Sequence, residues 1–305
     1  MKLLFDYKLL AALDAVIAEQ SFDKAADKLA ITQSAISQRI KQLEQQVAQP
    51  VIVRTTPPAA TTMGEKLLKH YKQVSLLAQE LAQEILPNEQ QEALSISIAI
   101  NADTLASWFI PAITPLLKQD AIVLDLHVAN EADTQSLLAK GKVFAAISNQ
   151  QKSVAGCKVQ HLGQLNYLLC ASPEFTQRYF KDGLTTDSLA KAPAVTFDAS
   201  DNMHHQYLSD HFGMNKGQYP CHRVGSSEAF VHFTLAGLAY SLLPITQASH
   251  YLASGELISL APKAQLIQQL YWHSWVLERG SYKKITEHVV DYATKLLTVK
   301  SLPPN

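Results

Sequence analysis

Four carboxylates, Asp103, Glu131, Asp133 and Glu228, stand shortly after stretches that read as β-strands. In open α/β sheets, ligands sit beyond the carboxyl ends of strands, where the connections diverge. Asn101-Ala102-Asp103-Thr104 and Ser226-Ser227-Glu228 each open an expected helix. The free N–H groups of a helix start favour a ligand carboxylate. The acidic side chains beside them add the opposite requirement, a cation. Together they suit an amino acid with a basic side chain, and a desolvated ammonium–carboxylate contact contributes ~1.5–3 kcal/mol. Asp103 and Glu228 would serve equally well as charges on their own helix N-termini, worth ~0.3–1 kcal/mol each, and the sequence leaves both readings open. Ser148-Asn149 and Phe197-Asp198 end other expected strands and complete the candidate set.

A second constellation is polar rather than acidic. Thr32 is an expected N-cap, opening a helix to about Gln46 whose buried stripe is Ile36, Ile40 and Leu43. Its outward face is then Gln33, Ser34, Ser37, Gln38 and Lys41, short or amide side chains able to approach base edges in a major groove. Gln33 lies at the helix start, where backbone N–H groups favour phosphate, and Arg39, Lys41 and Arg54 are the neighbouring cations. Such faces are also common on solvated helices, so the elements around this one decide its meaning.

Those elements are in order. A helix over 7–19 and a short one capped by Ser21 precede Ala30-Ile31-Thr32, a helix–turn–helix layout in which small Ala25 and Ala26 let the helices cross closely. Val51-Ile52-Val53-Arg54 reads as a short strand, and Thr55 to Ala60 as a turn or wing. Thr62 with Glu65 fits a capping box opening a helix to about Ile85. Its single stripe of Leu67, Tyr71, Val74, Leu77, Leu81 and Ile85 suggests a coiled-coil partner. The polar segment 87–92 is the expected hinge. Beyond it the apolar period becomes two at Leu94, Ile96, Ile98 and Ile100, and strands then alternate with helices, which predicts a parallel α/β sheet. The expected division is residues 1–60 for DNA binding, 61–86 for a linker and dimerisation helix, 87–92 for the hinge, and 93–305 for a regulatory domain. Its lobe 1 is about 93–161 plus 268–305, and lobe 2 about 162–267.

The 305 residues carry 26 Lys and Arg against 27 Asp and Glu, a balance that excludes a basic nucleic-acid coat. From Lys24 to Arg54, however, five cations face two acids. Three cysteines without metal spacing fit a reducing, cytoplasmic setting and no disulfide framework; Cys157, Cys170 and Cys221 are expected to be semi-buried thiols. No apolar run is long enough for a membrane span. No catalytic motif such as GxSxG, HExxH or a phosphate loop is present, so no enzyme, catalytic residue, metal or cofactor is expected. His204-His205 reads as a surface pair, and Trp108, Trp272 and Trp275 as packing residues.

Phe22-Asp23-Lys24-Ala25-Ala26-Asp27-Lys28-Leu29, followed by Thr32-Gln33-Ser34-Ala35-Ile36-Ser37-Gln38-Arg39-Ile40-Lys41-Gln42-Leu43-Glu44, closely resembles the LysR-type transcriptional regulators. The resemblance covers essentially the whole chain. It implies a winged helix–turn–helix binding double-stranded DNA as a homodimer or homotetramer, a long linker helix, and a two-lobed effector domain with the periplasmic-binding-protein fold. It further implies RNA polymerase as a partner. Val53-Arg54-Thr55-Thr56-Pro57-Pro58, Asn101 to Trp108, Ser226 to Phe230 and Leu270-Tyr271-Trp272 look like the ArgP/LysG branch, which implies L-lysine or L-arginine as effector and control of basic amino-acid export or metabolism. The chain departs from that branch at Pro57-Pro58-Ala59-Ala60, which lacks the expected arginine, and at Asn130-Glu131-Ala132-Asp133. The alternatives are a regulator of the same type answering another carboxylate-bearing effector, a solute-binding protein, or an α/β enzyme with a helical appendage.

Overall fold

The computed structural model describes residues 5–85, 93–199 and 201–297. The expected hinge at 87–92 and the tail beyond 297 lie outside the described residues. The N-terminal unit comprises α1 (Tyr7–Glu19), α2 (Phe22–Lys28), α3 (Gln33–Val47), β1 (Ile52–Val53), β2 (Ala59–Ala60) and the long α4 (Thr62–Ile85). Asp6, Ser21 and Thr32 cap the first three helices with their side-chain oxygens. Leu10, Leu13, Ile36, Ile40 and Leu43 form the shared core, joined by Leu67 and Leu68 of α4. β1 and β2 pair antiparallel as a small wing, Ile52 against Ala60. The cap of α4 is one residue earlier than expected: Thr61 Oγ1 accepts from Gly64 N at 3.1 Å, and Thr62 is already helical. Thr61 wins because its hydroxyl also donates to Pro50 O at 2.8 Å, tying the helix start to the wing.

The regulatory part runs β3 (Leu94–Ile100), α5 (Ala102–Thr104), a π turn over Leu105–Phe109, α6 (Ile110–Leu117), β4 (Ile122–Val128), α7 (Glu131–Ala139) and β5 (Ala145–Ser148). Next come β6 (Cys157–Ala171), α8 (Pro173–Tyr179), α9 (Thr186–Leu189), β7 (Ala194–Thr196), α10 (Met203–Phe212), β8 (Cys221–Arg223) and α11 (Ser227–Leu235). The chain closes with β9 (Ser241–Pro244), α12 (Ile245–Ser254), β10 (Ile258–Ser259), β11 (Leu266–Trp275) and α13 (Gly280–Leu297).

The sheet is mixed rather than parallel. β3 pairs parallel with β4 and β5, but β11 runs antiparallel to both β5 and β6, and β9 and β10 run antiparallel to β6. β7 and β8 form a separate parallel pair. The cause is β6, which starts at Cys157 rather than near 165 and passes as one strand through both halves beside β11. Their register shifts where Leu270 faces Gly163 and Tyr271 faces His161. Both expected lobe boundaries therefore fall inside continuous strands. Alternation along β6 serves two cores: Tyr167 and Leu169 enter the large cluster with Trp108 and Trp272, while Leu168 and Cys170 enter a smaller one with Val195 and Phe230.

Candidate functional site: a polar helix face and an interlobe cleft

The turn between α2 and α3 is held by Ile31 N donating to Ala26 O at 3.0 Å, with Ala30 in the left-handed region at φ 51°. Thr32 Oγ1 accepts from Ala35 N at 3.2 Å and lies 2.9 Å from the Ser34 hydroxyl. Gln33, Ser34, Gln38 and Lys41 are exposed, and Ser37 and Arg39 are half-buried. Arg54 follows β1 and is exposed. Glu44 accepts from Val51 N at 3.0 Å and locks α3 to the wing.

In the regulatory part, Asn101 Oδ1 caps α5 through Thr104 N at 3.0 Å. This turn presents Asp103 to the opposite lobe. Tyr167 of β6 donates its hydroxyl to Asp103 Oδ2 at 2.8 Å, and Ser227, first residue of α11, donates to Asp103 Oδ1 at 2.6 Å. Gln247 Oε1 lies 3.1 Å from the same Ser227 hydroxyl. Burial raises the Asp103 pKa; the two hydroxyls pull it down, and the fields of Asp201 and Glu228 push it up again. A carboxylate in that position, with acids around it, is satisfied best by a cation.

Not every expected residue converges on this point. Ala102 and Thr104 form the α5 turn with Asp103. Glu228 is exposed and accepts from its own cap, Ser226 Oγ, at 3.0 Å, as a helix-start charge does. Asp133 is exposed on α7, which Glu131 opens. Ser148 is buried at the end of β5, accepting from Gln150 N at 3.1 Å. Phe197 and Asp198 are half-buried in the turn after β7, which Asp201 organises: its Oδ2 accepts from Phe197 N and its Oδ1 from Met203 N.

Tyr167, Asp201 and Gln247 were missed. A tyrosine in an apolar strand carries no local sign that its hydroxyl meets an acid 64 positions away. Asp201 stood in a stretch read as loop. His204-His205 is not a surface pair: His204 is 2% exposed between Tyr219 and Tyr240, and burial holds it neutral with its pKa lowered to about 3. His205 hydrogen-bonds the Tyr219 hydroxyl. Cys157 and Cys170 are buried outright, while Cys221 is exposed. Trp108, Trp272 and Trp275 are core residues. Among the described residues there is no cluster of three or more metal-binding side chains, and no helix is long and apolar enough to cross a membrane.

Comparison with known proteins covers both regions. Residues 7–65 match the bacterial regulatory helix–turn–helix protein of the LysR family, and residues 89–279 match the LysR substrate binding domain. The HTH-type transcriptional regulator ArgP of Aeromonas salmonicida is 52% identical, over 96% of this chain and 98% of its own. The fold is similar to that of ArgP from Mycobacterium tuberculosis, with TM-score 0.87 and 35% identity over 97% of this chain and 99% of that one. It is also similar to full-length LysG from Corynebacterium glutamicum with bound effector Arg, with TM-score 0.80 and 33% identity over 95% and 99%.

Proposed function

This chain belongs to the LysR family of DNA-binding transcriptional regulators, and on that premise we propose that its effector is L-arginine or L-lysine, held in the cleft at Asp103. The observation that carries this is the Asp103 carboxylate, partly buried between two lobes, approached by the Tyr167 and Ser227 hydroxyls and surrounded by acids rather than a cation. A ligand ammonium or guanidinium supplies the missing charge. The N-terminus of α11 beside it offers backbone N–H groups to the ligand carboxylate. The LysG neighbour with bound arginine supports the same ligand class.

Gln33, Ser34, Ser37, Gln38 and Lys41 read base edges, while Ser21, Thr32, Arg39 and Arg54 position the helix–turn–helix on phosphates. Leu81 and Ile85, exposed at 54% and 63%, pack against the linker helix of a second copy in a homodimer or homotetramer. Effector binding shifts the population of lobe arrangements and so of DNA-binding geometry. The protein acts in the cytoplasm, with RNA polymerase as downstream partner and no cofactor beyond the effector, at genes for basic amino-acid export or metabolism.

Isothermal titration of the full-length protein tests the ligand. Arginine or lysine should bind at millimolar concentration or better, and Asp103→Asn should weaken binding by about 10–150-fold, the equivalent of ~1.5–3 kcal/mol. Heat from neither ligand would overturn the assignment.

A further inference from the structure

The linker helix α4 does not simply leave the DNA-binding unit; it is docked on the regulatory domain. Leu76 of α4 is buried in the large regulatory-domain core. Lys69 Nζ donates to Ala155 O at 2.8 Å. Gly141, at φ +68°, lies so close to α4 that a Cβ there would come within 2.8 Å of the Lys69 Cα. Lys140 Nζ stands 3.9 Å from Glu65 Oε1 one turn earlier.

Two segments bring these contacts to Lys69, and both begin at the cleft edge of the sheet. The first is α7. Ala129 N, just before it, donates to Ile100 O at the end of β3, next to the Asn101–Thr104 turn that holds Asp103. The helix spans nine residues, about 14 Å, and ends at Lys140-Gly141 against α4. The second is the segment 149–156. It leaves the end of β5, where Gln150 N donates to Ser148 Oγ at 3.1 Å, and reaches Lys69 through Ala155 O. The two are tied midway: Gln135 Nε2 of α7 donates to Lys152 O at 3.1 Å, and Gln150 O lies 2.7 Å from His273 Nε2 in the sheet. A packed helix and a strapped loop move as units rather than deform.

We propose that Lys69, clamped between Gly141 and Ala155, is the positioning residue through which cleft closure moves the linker helix and with it the DNA-binding domain. This rests on the cleft being the effector site, but not on which ligand fills it. A displacement of the Asn101–Asp103 turn or the Ser148 end shifts α7 and 149–156 together. Both end on Lys69, between the flanking contacts of α4 at Glu65 and Leu76, so the two shifts meet at one residue of the helix.

The test uses full-length protein carrying Lys69→Met, which keeps the aliphatic stem and removes the ammonium, and separately Gly141→Ala, which forces the two backbones apart. Arginine affinity by titration should stay within about twofold of the unmodified protein, whereas the arginine-induced change in operator binding should collapse toward none from the about 5–150-fold range usual for coupled sites. A full effector response in both variants overturns the proposal. A ligand-free arm separates this from the effector assignment. Ser227→Ala, which removes one of the two interlobe hydrogen bonds to Asp103, should alter amide exchange over residues 65–76 when Lys69 is present and leave it unchanged in the Lys69→Met background. Equal effects in both backgrounds, or none in either, overturn the relay even if neither lysine nor arginine proves to be the ligand.

Discussion

Asp103 carries opposing demands. Burial and the nearby acids raise its pKa, so the folded protein binds that proton more tightly than the unfolded chain does. By linkage, the ionised side chain costs stability as the pH rises through the raised value, and the cost vanishes below the ordinary aspartate range, where both states are protonated. Asp103→Asn should therefore stabilise the effector-free protein at neutral pH and lose that advantage in acid, as read by thermal midpoints across pH. Arginine affinity of the unmodified protein should fall as the pH drops through the raised pKa, with proton uptake on release, while the residual affinity of Asp103→Asn should be flat over the same range. A stability profile identical for both proteins would contradict this account. The position of Asp103 at a helix start after a strand was legible in the sequence, but not which of two roles, ligand contact or helix charge, it serves. Ser227 was in the candidate set for its place at a helix start, but its pairing with Asp103 and the whole role of Tyr167 were not legible: they meet Asp103 only because α11 and β6 of the other lobe fold back against α5.

The junction between wing and linker helix shows how closely the elements depend on small residues. A Cβ at Gly64 would collide with the Val51 carbonyl oxygen, the same atom that accepts from Thr61 N at 3.1 Å. Gly64→Ala should cost the N-terminal unit ~1–3 kcal/mol by overpacking, lowering its unfolding midpoint while arginine binding in the cleft is unaffected. An unchanged midpoint would mean that the junction yields without cost. The helices of this unit were readable almost residue by residue, because Ser21 and Thr32 are side-chain caps and Ile36, Ile40 and Leu43 follow the helical period. Strand direction was not readable. Alternation in β6 and β11 reports burial on two faces but says nothing about which neighbour each strand pairs with, so the antiparallel pair that joins the lobes was mistaken for part of a parallel sheet. The one-residue displacement of the α4 cap has a similar origin: Thr61 and Thr62 are chemically equal, and the contacts of Thr61 to Pro50 O and Val51 O distinguish them.

At the scale of the whole molecule, a near-neutral chain of 305 residues carries a modest positive surplus between Lys24 and Arg54, and the buried acid Asp103 stands far along the sequence between the lobes. Between them lies α4, docked by Leu76 and Lys69 on the regulatory domain that reads the ligand. So modest a positive surplus argues against blanketing contact with DNA, and each phosphate neutralised should add about −0.9 to the logarithmic salt slope. The most direct test is a mobility shift on the DNA upstream of this gene and its neighbours, at two salt concentrations, with and without arginine and lysine. The expected result is sequence-preferring, salt-weakened binding whose affinity or complex geometry changes with at least one of the two amino acids. Binding that ignores sequence, or that is identical with and without both ligands, would contradict it.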